Sequence, residues 1–126
     1  MFKLIIAGTR TFNDYQLLRD YTDKLLVNIK EPIEIVSGHA RGADALGERY
    51  AMEKGYALKI FPAEWDVYGK LAGFRRNVQM AEYADALLAF HDGESHGTKH
   101  MIETMRSTKP NAPIRIMKYQ KGGEGG

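Results

Sequence analysis

The stretch IVSGHARGADALGERYA, residues 35–51, decides the fold. It begins as a short apolar run of the kind that forms a buried strand, breaks at Ser37-Gly38, and turns helical around a second glycine, Gly42. Ala43, Leu46 and Tyr50 then recur on one side, and Gly55 closes the helix as a C-terminal cap. A strand passing within a few residues into an amphipathic helix is half of a βαβ unit, and the same pattern recurs on both sides of it.

Toward the N-terminus, residues 2–7 are an apolar run ending at Gly8, and Asp14 precedes a segment with Leu17, Leu18, Tyr21 and Leu25 on one helical face. Toward the C-terminus the spacing predicts strands at 57–61, 86–90 and 114–117, with helices from about Gly73 to Tyr83 and from Gly97 to Met105. Five short strands alternating with four helices predict a Rossmann-like three-layer α/β/α sandwich around a five-stranded, mainly parallel sheet. With 126 residues, 44% of them apolar, the chain suffices for one core. It is read as a single domain over residues 1–119, followed by a flexible Gly-rich tail at 120–126.

Composition removes several chemistries. Without cysteine there is no disulfide framework, thiolate metal site or cysteine nucleophile, and the balance leans toward a cytoplasmic protein. No run approaches the roughly 20 apolar residues that span a bilayer, so no membrane partner is expected. The net charge of +2 is scattered, which gives little footprint for nucleic acid. His91, His96 and His100 lack the spacing of a zinc site, and neither a metal nor a cofactor is expected.

Ligands of such sheets bind beyond the carboxyl ends of the strands, which directs attention to four loops: Gly8–Asn13, Ser37–Arg41, Pro62–Ala72 and His91–Gly97. Three of them put small and hydroxylated residues where a helix is about to start: Gly8 and Thr9; Ser37, Gly38 and Gly42; Gly93, Ser95, Gly97 and Thr98. A helix N-terminus carries unpaired N–H groups and a partial positive charge, so an unblocked one attracts phosphate. Each loop alone also fits a plain turn with a cap, Ser37 and Asp44 serving that purpose. Together the three favour a shared anion site, with Arg10, Arg41 and Arg76 neutralising phosphate and Asp44 within reach of a ribose hydroxyl. On this reading Gly42→Asp abolishes binding.

The third loop and its helix bring Trp65, Lys70, Arg76 and Asn77 close in sequence; an aromatic face can cover a base or ribose and a guanidinium can clamp phosphate. Neither G-x-G-x-x-G nor a P-loop is present, which disfavours an ordinary dehydrogenase or ATPase. No catalytic residue is assigned; Asp92, Glu94 and His39 are the groups a hydrolase would draw on.

The strings IIAGTRTF, VSGHARGADALGERYA, FPAEWDVYGKLAGFRRNVQM and ADALLAFHDGESHGTKHMI resemble the small stand-alone proteins of the SLOG superfamily, related to Smf/DprA and LOG, in its YspA-like branch. The resemblance spans residues 3 to 118. It implies binding of a nucleotide or nucleotide-derived ligand of the ADP-ribose or NAD kind, as a sensor or binding module. The similar LOG enzymes cleave N-glycosidic bonds with an arginine in R-K-x-x-M and a glutamate in G-G-x-G-T-x-x-E. This chain keeps Arg76, Gly97 and Thr98 but carries Met101 in place of the glutamate, leaving a phosphoribohydrolase as the alternative. The DprA likeness makes single-stranded DNA binding a third. Superfamily relatives often pair, so a homodimer is expected, with Tyr50, Phe74 and Tyr83 open to either interface or core.

Overall fold

The computed structural model describes residues 1–119; the expectation of a flexible tail at 120–126 falls outside the described residues. Strands β1 (Phe2–Gly8), β2 (Ile33–Ser37), β3 (Ala57–Ile60), β4 (Ala86–His91) and β5 (Ile114–Lys118) form one sheet in the order β3-β2-β1-β4-β5. Every neighbouring pair is parallel, so the sheet is wholly rather than mainly parallel. Helices α1 (Tyr15–Leu26), α2 (Ala43–Lys54), α4 (Ala72–Tyr83) and α5 (His96–Thr108) fill the crossovers. The fold is the expected Rossmann-like α/β arrangement.

The alternating pleat of β1 sorts its side chains between two cores. Leu4 and Ile6 pack with Leu18 and Leu26 of α1 and Tyr50 and Ala51 of α2. Ile5 and Ala7 pack with Met80 and Ala81 of α4 and Met101 and Met105 of α5. Strand β4, buried at all six positions, seals the middle of both layers. Tyr50, fully buried, belongs to the core. No described helix is long and apolar enough to cross a membrane.

Two boundaries differ from the sequence reading for physical reasons. Helix α2 starts at Ala43 behind Gly42, with no side-chain cap from Ser37 or Asp44. A Cβ on Gly42 would lie 2.3 Å from the Thr9 carbonyl oxygen, so the loop after β1 sets where this helix begins. The segment read as a loop at 62–72 contains a one-turn helix, α3 (Trp65–Tyr68), and a 3-10 turn at Gly69–Leu71. Four residues show no period, and α3 buries none of its side chains, so no apolar pattern announces it.

Candidate functional site

From β1 the chain moves outward on one side through β2 and β3, then returns to lay β4 on the other side of β1. The crevice beyond the carboxyl ends of β1 and β4, where strand order reverses, is where this class of sheet receives ligands. A cleft of about 620 Å³ opens there. Its walls come from Gly8–Thr11, from Asp44 of α2, from Trp65, Lys70 and the Gly73–Asn77 part of α4, and from the loop leading into α5.

The start of α5 is built as an open end. Asp92 Oδ1 accepts the backbone N–H groups of Glu94 (2.8 Å) and Ser95 (2.9 Å), which folds the loop back on itself. Ser95 caps the helix by accepting the Thr98 N–H at 3.3 Å, and its hydroxyl lies 2.9 Å from that of Thr98. These bonds leave the N–H groups of His96 and Gly97 without a partner among the described residues. A Cβ on Gly97 would meet nothing within 4 Å, so the approach is clear. The α2 end is different, because the Ala43 N–H already donates to the Thr9 carbonyl at 3.3 Å.

Across the cleft, Arg76 donates from its terminal nitrogen to the Gly38 carbonyl and from Nε to Asn77 Oδ1 at 3.0 Å. Gly38 is a glycine because a Cβ there would lie 2.7 Å from the Arg76 guanidinium and 2.8 Å from the Asp44 carboxylate. Burial pushes the Asp44 carboxyl up to about 6, against the opposing pull of Arg76 and of the Ala40 and Gly38 N–H groups. Burial also lowers Arg76, partly offset by Asp44 and reinforced by Arg10. The pair is thus an unevenly compensated charge centre beside an open helix end.

Asn77 carries that arrangement to α5. With its oxygen committed to Arg76, its amide nitrogen donates to His100 Nδ1 at 3.0 Å and to the Gly97 carbonyl at 3.4 Å. Phe74 stacks on His100 with ring centroids 4.2 Å apart and also lines the cleft. Burial lowers the His100 pKa.

Of the residues expected to touch ligand, Gly8, Thr9, Arg10, Asp44, Trp65, Lys70, Arg76, Asn77, Ser95, Gly97 and Thr98 line this one cleft. Gly38 and Arg41 line a smaller adjoining lobe. Gly42 is packed against the backbone of Thr9 and Arg10, and Gly93 makes the turn after β4 with φ 91. Ser37 is fully buried and donates to Glu48 Oε2 at 2.7 Å rather than lining either cavity. Two contributors went unmarked in the sequence. Phe74 reads in the sequence as an interface or core aromatic and not as a cleft residue, whereas Glu48, one helical turn beyond Asp44, could have been found from the shared face of α2.

Met101 is 1% exposed and lines the cleft, while Glu103 lies on the exposed side of α5. Asp92 is occupied in holding the loop. Among the described residues no group of three His, Asp or Glu is placed to hold a metal ion.

Residues 2–68 match the model of the YspA, cpYpsA-related SLOG family. The chain is also 34% identical over 120 residues to the Gene 61 protein of Mycobacterium phage D29, covering 90% of this chain and 94% of that protein. No solved structure matches. With more than half its length inside the family pattern and a relative aligned nearly end to end, this chain belongs to the YspA, cpYpsA-related SLOG family.

Proposed function

We propose that the protein binds a nucleotide or nucleotide-derived molecule of the ADP-ribose or NAD kind in the β1–β4 cleft, acting as a sensor or binding module. One observation carries this reading: the unblocked N-terminus of α5, where the N–H groups of His96 and Gly97 have no partner among the described residues, opens on a cleft that also holds Arg10 and Arg76. Dipole, donors and guanidinium groups there converge on an anion. The exposed faces of Trp65 and Phe74 supply flat apolar surface for a base. Family membership supports a nucleotide-type ligand, and the gathering of arginines into a cleft favours a small molecule over a DNA strand. A homodimer belongs to the same reading, with exposed Val67, Leu71 and Val78 as the surface to carry it; sedimentation tests it.

The test is calorimetric titration with AMP, ADP, ADP-ribose and NAD, run on the wild type and on Gly97→Glu. A carboxylate in the first turn suits the fold, because it complements the helix dipole, but it repels phosphate. Saturable wild-type binding that disappears in a folded Gly97→Glu supports the reading. Equal affinity in both proteins refutes the α5 cradle.

A second reading, hydrolysis of the bound nucleotide, has one observation in its favour. Asp44 lines the cleft with its carboxyl raised to about 6, in the range of a working acid or base. Release of free base or ribose phosphate by the wild type and not by Asp44→Asn would establish it.

A further inference from the structure

The cleft does not end at Arg76. A second lobe of about 300 Å³ continues from it toward the carboxyl ends of β2 and β3, and the two share Arg10, Ala40, Trp65 and Arg76 as their partition. The far side of this lobe carries His39 and Arg41.

His39 is held with unusual care for a side chain that is 57% exposed. It is the one non-glycine residue among those described with positive φ, at 62°, a conformation that costs about 1–2 kcal/mol for an L-residue. Its N–H donates to Ser37 Oγ at 3.0 Å, and its Nδ1 lies 2.9 Å from Glu48 Oε2, the same carboxylate oxygen that Ser37 donates to. Facing a carboxylate, Nδ1 carries the proton and donates it to Glu48, so that the neutral ring offers Nε2, unpartnered among the described residues, as an acceptor for a hydroxyl. Arg10 and Arg41 are both exposed, and neither forms an ion pair among the described residues. A strained, doubly anchored imidazole that accepts a hydroxyl, with two guanidinium groups that form no ion pair among the described residues, makes a surface matched to a phosphorylated sugar.

The main cleft alone already lies within the roughly 300–1,000 Å³ usual for small-ligand sites. The second lobe adds a separately lined space of about 300 Å³ with its own imidazole and arginine. We infer that it is a distal subsite for the second half of a pyrophosphate-linked nucleotide, with the bridge crossing the Arg10–Arg76 partition and the far ribose or phosphate meeting His39 and Arg41. The ligand class is then a nucleoside diphosphate joined to a second sugar, in preference to a nucleoside monophosphate. This rests on the nucleotide reading of the main cleft.

The experiment compares AMP with ADP-ribose by calorimetry on the wild type, Arg41→Ala and His39→Asn. Asparagine tolerates positive φ, so the turn survives while the imidazole goes, and Arg41 is exposed, so its truncation spares the fold. The wild type should bind ADP-ribose about tenfold or more tightly than AMP, and each variant should lose about tenfold for ADP-ribose with AMP affinity unchanged. Equal wild-type affinities, or variants that change both ligands alike or neither, would overturn the subsite while leaving the main cleft standing. If the wild type binds neither AMP nor ADP-ribose, the nucleotide reading itself fails and the subsite falls with it.

Discussion

The guanidinium of Arg76 donates to the carbonyl oxygen of Gly38, 38 residues earlier in the chain, and so ties α4 to the loop after β2. Its Nε simultaneously fixes the Asn77 amide. Arg76→Lys keeps the charge but not the planar fork, so it cannot serve both acceptors. Nucleotide affinity should fall about tenfold in Arg76→Lys and further in Arg76→Ala, measured by calorimetry against Arg75→Ala, a neighbour that contacts Tyr68 instead. Equal losses at both positions would mean that only bulk positive charge matters.

Asp44 makes a pH prediction of definite sign. Below about pH 3.8 its carboxyl is protonated in folded and unfolded chains alike. As pH rises from 3.8 to about 6 the unfolded chain releases its proton first, so the folded state loses stability through that window, on the order of 3 kcal/mol by neutral pH. The difference in melting temperature between Asp44→Asn and the wild type should therefore move in the variant's favour from pH 4 to pH 7. A flat difference would show that Asp44 does not titrate there.

His100 has the opposite sense. The Asn77 amide nitrogen can only donate, so His100 Nδ1 must accept, and the neutral ring is the form the fold holds. With its folded pKa below the usual 6.5, its contribution is present above 6.5 and is lost as pH falls through the folded value. Because Asn77 also orients Arg76, acidification should loosen both helices at once. NMR titration of the His100 ring should give a pKa below 6.5 in the wild type that moves toward 6.5 in Asn77→Ala.

Three glycines separate by what fills the space of the missing side chain. Gly47→Ala should cost about 1–3 kcal/mol in spite of its better helix propensity, because the new methyl would sit 2.9 Å from Ile6 Cβ. Gly55→Ala should cost about 1 kcal/mol through backbone strain alone, at φ 73 with open space around it. Gly97→Ala should leave stability within about 0.5 kcal/mol, since the site is open and exposed. Urea denaturation ranks the three.

The alternation of apolar runs and helical faces carried the fold into plain view, since each strand of this sheet is short and bounded by turn residues, and the three inner strands β2, β1 and β4 are largely buried. The cleft was legible to the same extent, because strand ends locate it. What a string of letters hides is what replaces a glycine's absent side chain. Gly42 and Gly97 look alike as helix starts, yet the first is filled by the backbone of Thr9, more than thirty positions earlier, and the second by nothing. Likewise the role of Glu48 depends on the left-handed turn at His39, a conformation uncommon for any residue but glycine and not signalled by the pattern around it.

Strand β1 is made before the other four strands and is the central one in the sheet, and that has a cost during synthesis. It meets β2 early, but its other neighbour, β4, begins at Ala86, so the ribosome must add roughly 80 more residues at about 5–20 per second before that flank is covered. For several seconds the nascent half-sheet presents the bare hydrogen-bonding edge of Leu4–Gly8, flanked by apolar side chains on both faces, to whatever strand passes by. Translation speed over residues 38–85, and chaperone supply during that interval, should therefore govern how much of this protein reaches its native state instead of pairing edge to edge with its neighbours.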